Sequence, residues 1–159
     1  MKKRSAGLIM YRYKKEVLEI FLVHMGGPYW AKKDFGAWSI PKGEYRERAD
    51  PLTAAKREFL EETGFHAEGD FKQLTTLGQP SGKEIIAWAF EGNCDASSIR
   101  SNTFTLEWPP GCGTQVEFPE VDRAEWFTVD LAKNKLLKGQ AGFIEELCKV
   151  LDYRGPRRP

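Results

Sequence analysis

The sequence has few of the residues that build disulfide frameworks and structural zinc sites. It contains three cysteines, Cys94, Cys112 and Cys148, an odd number with no pair at C-x-x-C spacing. This argues against both a set of disulfide bonds and a zinc site. We therefore expect free thiols, and the reducing cytoplasm as the compartment in which the protein works.

Long apolar runs and an excess of charge are also missing. The apolar stretch from Gly7 to Met10 is too short for a signal-peptide core, and no segment approaches the length of a membrane span. The formal net charge is +1 at pH 7, so the overall electrostatics predict neither a nucleic-acid footprint nor attraction to an acidic membrane. We expect neither as a partner, and an anionic substrate must be bound by local groups.

What the sequence does contain is ample material for one hydrophobic core. Hydrophobic residues make up 41% of the 159 residues, and aromatic residues 13%. A chain of this length and composition fits one compact domain. We expect that domain to occupy residues 1–159, with residues 154–159 as a frayed basic tail.

The pattern along the chain predicts strands on both sides of one well-marked helix. Asp50 is a favourable N-cap, Pro51 suits the first helical position and Gly64 suits the left-handed position after the end, so the helix should run from about 51 to 63. Strands are expected at about 5–13, 16–24, 37–40, 71–78, 84–91, 103–107 and 123–128, an exposed turn at 41–48, and a closing amphipathic helix at 141–152. This order favours an α/β/α sandwich with a mixed β-sheet over an all-β barrel.

Three glutamates of the first helix lie close together on one face. Glu58, Glu61 and Glu62 stand at positions i, i+3 and i+4. Each like-charged pair at this spacing costs the helix roughly 0.2–0.5 kcal/mol unless a cation offsets it. Mg²⁺ or Mn²⁺, which prefer carboxylate oxygens, would do so. Taken alone, the pattern is more typical of a solvated acidic face neutralised by Lys56 and Arg57.

The surrounding residues favour the metal site. Gly43, Arg57, Glu58, Phe59, Glu61, Glu62, Gly64 and Phe65 fall at the spacing G-x5-E-x7-R-E-U-x-E-E-x-G-U, in which U is a bulky apolar residue. Over residues 43–65 the chain closely resembles the Nudix hydrolase superfamily, and the order of strands and helices outside this box is similar too. Residues 38–43, Trp-Ser-Ile-Pro-Lys-Gly, look like a loop variant of its dinucleoside and inositol polyphosphate branches, a weaker resemblance.

The resemblance implies a Nudix-type α/β/α sandwich and a Mg²⁺-dependent pyrophosphohydrolase. The substrate would be a small nucleoside diphosphate linked to another group, such as a dinucleoside polyphosphate or a nucleoside triphosphate. Glu61 and Glu62 would be the primary metal ligands, with Glu58 as a ligand or general base and a carbonyl near Gly43 completing the shell. A distant catalytic glutamate found in many members matches Glu120 best, and Glu117 is the alternative.

One position of the box departs from the pattern, because Ala49 replaces its first glutamate. In the family that glutamate supports the loop and pairs with the box arginine, so the change affects the anchoring of Arg57 more than the metal ligands. Glu44, Glu47 and Asp50 are candidates for the replacement partner, and the sequence does not choose among them. The alternative function is therefore a nucleotide-binding Nudix-fold module with impaired catalysis.

Other candidate residues carry weaker signals. Lys42, beside the box glycine, and Lys83, in a Ser-Gly-Lys turn, are candidates for contacting a phosphate, although either position also suits a surface lysine. Residues 26–28, Gly-Gly-Pro, lack the spacing of a phosphate-binding P-loop, so tight turning explains them better. His24, at the end of an apolar strand, suits a structural role. Trp30, Trp38 and Trp88 are candidates for stacking a base, although most aromatic residues should lie in the core.

Overall fold

The structure is a computed structural model, and it describes residues 3–156. Residues 154–156 follow the last helix without regular secondary structure, and residues 157–159 of the expected tail lie outside the described residues. In chain order the strands are β1 (Arg4–Lys14), β2 (Val17–Met25), β3 (Trp38–Ser39), β4 (Lys42–Glu44), β5 (Lys72–Gln73), β6 (Leu77–Gly78), β7 (Glu84–Glu91), β8 (Thr103–Glu107), β9 (Gln115–Pro119) and β10 (Val121–Thr128). The helices are α1 (Pro51–Thr63), α2 (Val129–Lys135) and α3 (Ala141–Val150).

A mixed sheet forms the middle layer. Its strands follow the order β10-β2-β1-β7-β5, and the short strands β3, β4 and β6 pair with β2, β1 and β7. The central pair β1 and β7 is parallel, whereas the other pairs of this sheet are antiparallel. Strands β8 and β9 form a separate antiparallel hairpin. No helix within residues 3–156 is long and apolar enough to cross a membrane.

Alternate residues of β1 serve two separate cores. Leu8 packs in the cluster that contains Phe59 of α1, while Ile9 packs in the cluster that contains Phe143 and Leu147 of α3. Successive side chains of a strand point to opposite faces, so helix α1 covers one face of the sheet and helices α2 and α3 cover the other. The predicted α/β/α sandwich with a mixed sheet is confirmed.

Helix α1 has the bounds and both caps that the sequence predicts. The Asp50 carboxylate accepts a hydrogen bond from the backbone N–H of Thr53 at 3.0 Å, and Pro51 occupies the first turn. At the other end Gly64 has φ +81°, and its N–H donates to the carbonyl of Leu60 at 2.8 Å. These caps satisfy backbone groups that a helix end otherwise leaves unpaired.

Two segments differ from the prediction because of long-range partners. An exposed turn was predicted for residues 41–48, but residues 42–44 form strand β4, which pairs antiparallel with β1. The strand expected at 71–78 is split into β5 and β6, because the backbone N–H of Thr75 donates to the Glu146 carboxylate of α3 at 2.8 Å. Strand β9 and the seven-residue helix α2 were not predicted. Both are short and only partly buried, so their sequences show no clear hydrophobic periodicity.

Candidate active site

Four glutamates form one group beside the amino end of β4. Burial raises the pKa of Glu58, and the charge of Glu61 raises it further. Burial likewise raises the pKa of Glu120, and the charges of Glu58 and Glu61 add to this effect. Glu62 is the most strongly affected, because burial raises its pKa to about 8, with Glu120 and Glu58 contributing. The structure therefore brings the helix glutamates and the predicted distant glutamate close enough to repel one another.

Glu62 fixes the box loop to helix α1. Its side chain is only 9% exposed, and one carboxylate oxygen accepts a hydrogen bond from the backbone N–H of Lys42 at 3.0 Å. Together with the pairing between β4 and β1, this bond holds β4 against the acidic face of the helix. The most buried carboxylate of the group thus has a backbone partner that holds it in place.

The glycine of the box leaves room for the Glu58 carboxylate where β4 approaches α1. A Cβ atom on Gly43 would lie 2.1 Å from Cδ of Glu58, well inside van der Waals contact. Any larger residue would displace the Glu58 carboxylate. The glycine therefore determines where that carboxylate lies, in addition to offering a backbone carbonyl.

Arg57 pairs with glutamates of the box itself. Its guanidinium Nη2 lies 3.3 Å from Oε1 of Glu58, and its Nε lies 3.9 Å from Oε1 of Glu61. The three replacement partners considered from the sequence do not anchor it: Glu44 pairs with Lys83, Asp50 caps helix α1, and Glu47 makes no ion pair in the described chain. That expectation was wrong, because Arg57 turns toward the nearest uncompensated carboxylates on its own helix.

Glu120 is held in the group by a segment that the sequence did not single out. The backbone N–H of Asn102 donates to the carbonyl of Glu61 at 2.8 Å, and its carbonyl accepts from the N–H of Glu120 at 2.9 Å. With its amide nitrogen turned toward these residues, Asn102 also donates to Oε2 of Glu120 at 3.2 Å. The alternative, Glu117, lies on the β8–β9 hairpin, exposed and bonded to the Thr103 hydroxyl. The structure brings Glu120, and not Glu117, to the helix glutamates.

The two candidate lysines have different surroundings. Lys42 lines the cleft beside Glu62, and burial lowers the pKa of its ammonium, although the charge of Glu62 opposes this effect. Lys83 lies outside the lining of that cleft, and its ammonium is paired with Glu44 at 3.1 Å. Only Lys42 is therefore placed to meet a group bound beside the glutamates.

A cleft of about 350 Å³ opens beside Glu62, Glu120 and Lys42. Of the three tryptophans considered for stacking, Trp38 and Trp88 lie in the core at 1% and 8% exposure, and only Trp30 lines the cleft. His24 is structural, as expected. It is fully buried, with Nδ1 at 2.7 Å from Asp122 and Nε2 at 2.6 Å from the Lys33 carbonyl.

The chemistry of this group suits a hard divalent cation. Carboxylate oxygens are the ligands that Mg²⁺ and Mn²⁺ prefer. A cation would stabilise the charged form of these carboxylates, whose pKa values are raised first by burial and then by their mutual repulsion. Among residues 3–156, no three His, Cys, Asp or Glu side chains already converge at metal-binding distance. The residues present therefore fit such a cation by donor type and charge, and binding it requires side-chain rotation.

The sandwich, the box loop and the group of glutamates together define a Nudix type of fold and site. The family model of the NUDIX domain matches residues 1–147. The chain belongs to this family, which confirms the resemblance seen in the sequence.

Individual relatives agree with this assignment. The chain is 28% identical to an RNA pyrophosphohydrolase of Bartonella henselae over 148 residues, covering 81% of this chain and 76% of the relative. It is similar to a Caenorhabditis elegans Ap4A hydrolase in a binary complex, with a TM-score of 0.66, 19% identity, and 93% and 98% of the two chains covered. It is also similar to the NUDIX domain of Shewanella oneidensis NrtR complexed with ADP ribose, with a TM-score of 0.66, 16% identity, and coverage of 95% and 89%. At these identities the solved structures show the shared fold.

Proposed function

We propose that this protein is a Mg²⁺-dependent Nudix hydrolase, also able to use Mn²⁺, that cleaves a phosphoanhydride in a nucleoside diphosphate linked to another group. A dinucleoside polyphosphate or a nucleoside triphosphate is the proposed substrate. The observation that carries the proposal is the buried Glu62 carboxylate, held by the Lys42 N–H within a group of mutually repelling glutamates. A buried carboxylate beside others of like charge destabilises a fold, and groups of this kind are typical of sites that bind a cation or transfer a proton.

The proposed metal ligands are Glu58, Glu61, Glu62 and the Gly43 carbonyl. A bound divalent cation would screen the phosphates and stabilise charge on the leaving oxygen. The chain fixes the site through the Lys42 N–H, which orients Glu62, and through Gly43, which leaves room for Glu58.

The remaining roles are assigned to groups around the metal ligands. Burial raises the pKa of Glu58 and of Glu120, so each carboxylate is a stronger base than an exposed glutamate and is suited to accept the proton of the attacking water. Arg57 positions Glu58 and Glu61 through its guanidinium. The Lys42 ammonium contacts a phosphate as a point charge. A phosphate contact by Lys83 remains a prediction that requires its pair with Glu44 to open.

Substrate hydrolysis tests the assignment. Nucleoside triphosphates, diadenosine tetraphosphate, ADP-ribose and diphosphoinositol polyphosphates are incubated with the protein and Mg²⁺ or Mn²⁺. Glu61→Gln and Glu120→Gln are each expected to lower kcat by about 10²–10⁴-fold, the usual range for removal of a group that handles a proton or charge. Glu117→Gln is the matched control, because it removes an exposed carboxylate outside the group. Inactivity of the parent on every compound, or full activity of both site variants, would refute the proposal.

A second candidate function is supported by the position of Arg57. Its guanidinium occupies the same two carboxylates, Glu58 and Glu61, that a metal ion needs. If it is not displaced, the protein is a nucleotide-binding module with impaired catalysis. Nucleotide binding that persists at saturating Mg²⁺ without turnover would identify this function.

The setting of the protein is proposed from composition. Cys94, Cys112 and Cys148 are all free thiols, as in proteins of a reducing compartment, so we place the enzyme in the cytoplasm. With a net charge of +1, a small molecule is the proposed partner in preference to a nucleic acid. A single domain over residues 1–159 remains a prediction.

A further inference from the structure

The cleft beside the glutamates has two chemically different ends. One end carries the ionisable groups of Lys42, Glu62 and Glu120. The other end is lined by Tyr29 and Trp30 of the loop that follows β2, and by Phe104 and Leu106 of β8. The catalytic chemistry uses only the first end, so the aromatic end needs a separate explanation.

The aromatic end is built by a close approach between the loop and the hairpin. Gly27 has φ +93°, and a Cβ atom on it would lie 2.8 Å from Cζ of Phe104. Phe118 is the cross-strand partner of Phe104, with ring centroids 6.0 Å apart. Farther out, Tyr29 meets Trp108 edge to face at 5.3 Å. Gly26 and Gly27 therefore allow the loop to pack closely against the hairpin, in addition to forming the tight turn that the sequence predicts.

The same contacts fix the aromatic end relative to the carboxylates. The N–H of Gly26 donates to the carbonyl of Glu120 at 2.8 Å, which ties the loop to the catalytic group. Asn102, immediately before β8, is bonded through its backbone to both Glu61 and Glu120. The hairpin has no strand pairing with the main sheet, so these bonds set its position. A ligand that reaches both ends is held at a defined distance from the carboxylates.

We propose that the aromatic end binds the base of a single nucleotide, with Phe104 and Tyr29 as the residues that determine this preference. The inference rests on the proposed function, because it places the phosphates of that nucleotide at the carboxylate end. Planar bases stack on aromatic rings, and each stacked base contributes about 1–3 kcal/mol by alanine substitution. The cleft has a volume of about 350 Å³, in the lower part of the range for small-molecule pockets, which suits one nucleotide.

The lining also distinguishes between substrate classes. A diphosphoinositol polyphosphate offers no planar apolar group and needs many cations, whereas Lys42 is the single Lys or Arg among the described residues that line the cleft. The polar side-chain groups at the aromatic end are the Tyr29 hydroxyl and the Trp30 indole N–H, and neither is charged. The base is therefore held by stacking more than by hydrogen bonds, so ADP and GDP should bind with similar affinity and both more tightly than UDP.

Calorimetric titration with ADP and with inorganic pyrophosphate, both in Mg²⁺, separates the two ends. The parent should bind ADP more tightly than pyrophosphate. Phe104→Ala should weaken ADP binding by between about 5- and 150-fold, the fold-change for one lost stacking contact, and leave pyrophosphate binding unchanged. Phe35→Ala is the matched control, because it removes a phenylalanine ring that is 67% exposed and does not line the cleft. It should leave the preference for ADP intact.

A second variant controls for a possible structural change of the hairpin in Phe104→Ala. Tyr29 is 56% exposed, so Tyr29→Ala removes little core packing, and it should also weaken ADP binding selectively, with Tyr29→Phe restoring it. Equal binding of ADP and pyrophosphate by the parent, or equal losses for both ligands in Phe104→Ala and Tyr29→Ala, would overturn the inference. These titrations involve no turnover. An ADP preference that depends on Phe104 in a protein without hydrolytic activity would refute the proposed function alone.

Discussion

Replacing Glu62 with Gln is expected to make the metal-free protein more stable at alkaline pH. Glutamine has nearly the same shape, and its amide oxygen can accept the hydrogen bond from the Lys42 N–H. It never ionises, whereas Glu62 must either keep a proton or carry a buried charge. The comparison therefore isolates the free energy of ionising this one carboxyl.

The magnitude follows from the pKa of Glu62, which rises from 4.5 to about 8 on folding. Below pH 4.5 the group is protonated in both the folded and the unfolded state, so its ionisation has no effect on stability. Between these values only the unfolded state ionises, and the free energy of unfolding falls by about 1.4 kcal/mol per pH unit. Above pH 8 the full cost is reached, about 5 kcal/mol in all. The variant should thus match the parent at pH 4.5 and exceed it by about 5 kcal/mol above pH 8.

Urea unfolding in EDTA, from pH 4.5 to 9, measures this difference directly. Glu145→Gln, an exposed position on α3, is the matched control and should follow the parent at every pH. Adding Mg²⁺ at pH 8 should stabilise the parent more than Glu62→Gln, because a ligand that binds only the folded state raises its stability. Parallel stability curves for the parent and Glu62→Gln would refute the reasoning, since they would mean that Glu62 has an ordinary pKa in the folded protein.

Two further predictions concern the groups that place the carboxylates. Gly43→Ala should lower kcat at least tenfold, because its Cβ would lie 2.1 Å from Cδ of Glu58, whereas Gly78→Ala, with nothing within 4 Å, should leave steady-state hydrolysis unchanged. Asn102→Ala should lower kcat with little change in KM, because the side-chain amide of Asn102 contacts Glu120 while its backbone bonds survive the substitution. A larger effect on KM than on kcat would show that Asn102 acts on substrate binding instead.

Local sequence signals were sufficient to predict helix α1. Asp50, Pro51 and Gly64 act within one or two turns of the chain, so the caps that they form and the bounds of α1 are readable from spacing alone. The same holds for the acidic face, because residues at i, i+3 and i+4 share one side of any helix. The box glutamates are therefore recognisable in sequence, and the structure brings them together with Glu120.

The rest of the site depends on contacts between distant segments. Asn102 reaches the end of α1 only because the chain returns there before β8, and nothing in its immediate neighbours indicates this. Phe104 appears in the sequence as one more strand residue, and its role at the cleft depends on how closely Gly27 approaches it. The partner of Arg57 was mistaken for a similar reason, since proximity in sequence favoured Glu44, Glu47 and Asp50, while the folded loop directs their side chains elsewhere.

Restoring the missing glutamate of the box tests what Arg57 does. In this chain Arg57 pairs with Glu58 and Glu61, so a cation that binds the same carboxylates would have to compete with it. The resemblance to the family implies that a glutamate at position 49 pairs with this arginine, so Ala49→Glu should draw the guanidinium away from both carboxylates. Arg57 is half exposed, and an ion pair of that kind contributes about 0.2–1 kcal/mol.

Ala49→Glu should therefore lower the Mg²⁺ concentration at half-maximal hydrolysis by up to about fivefold, the change in affinity that corresponds to 1 kcal/mol. Ala49→Gln has almost the same size without the charge, so it should leave the Mg²⁺ midpoint where it is in the parent. Equal shifts in the two variants would mean that the loop before α1 responds to side-chain bulk. No shift in either variant would mean that Arg57 does not compete with the metal. The pairing lost with the first box glutamate would then not affect the affinity for Mg²⁺.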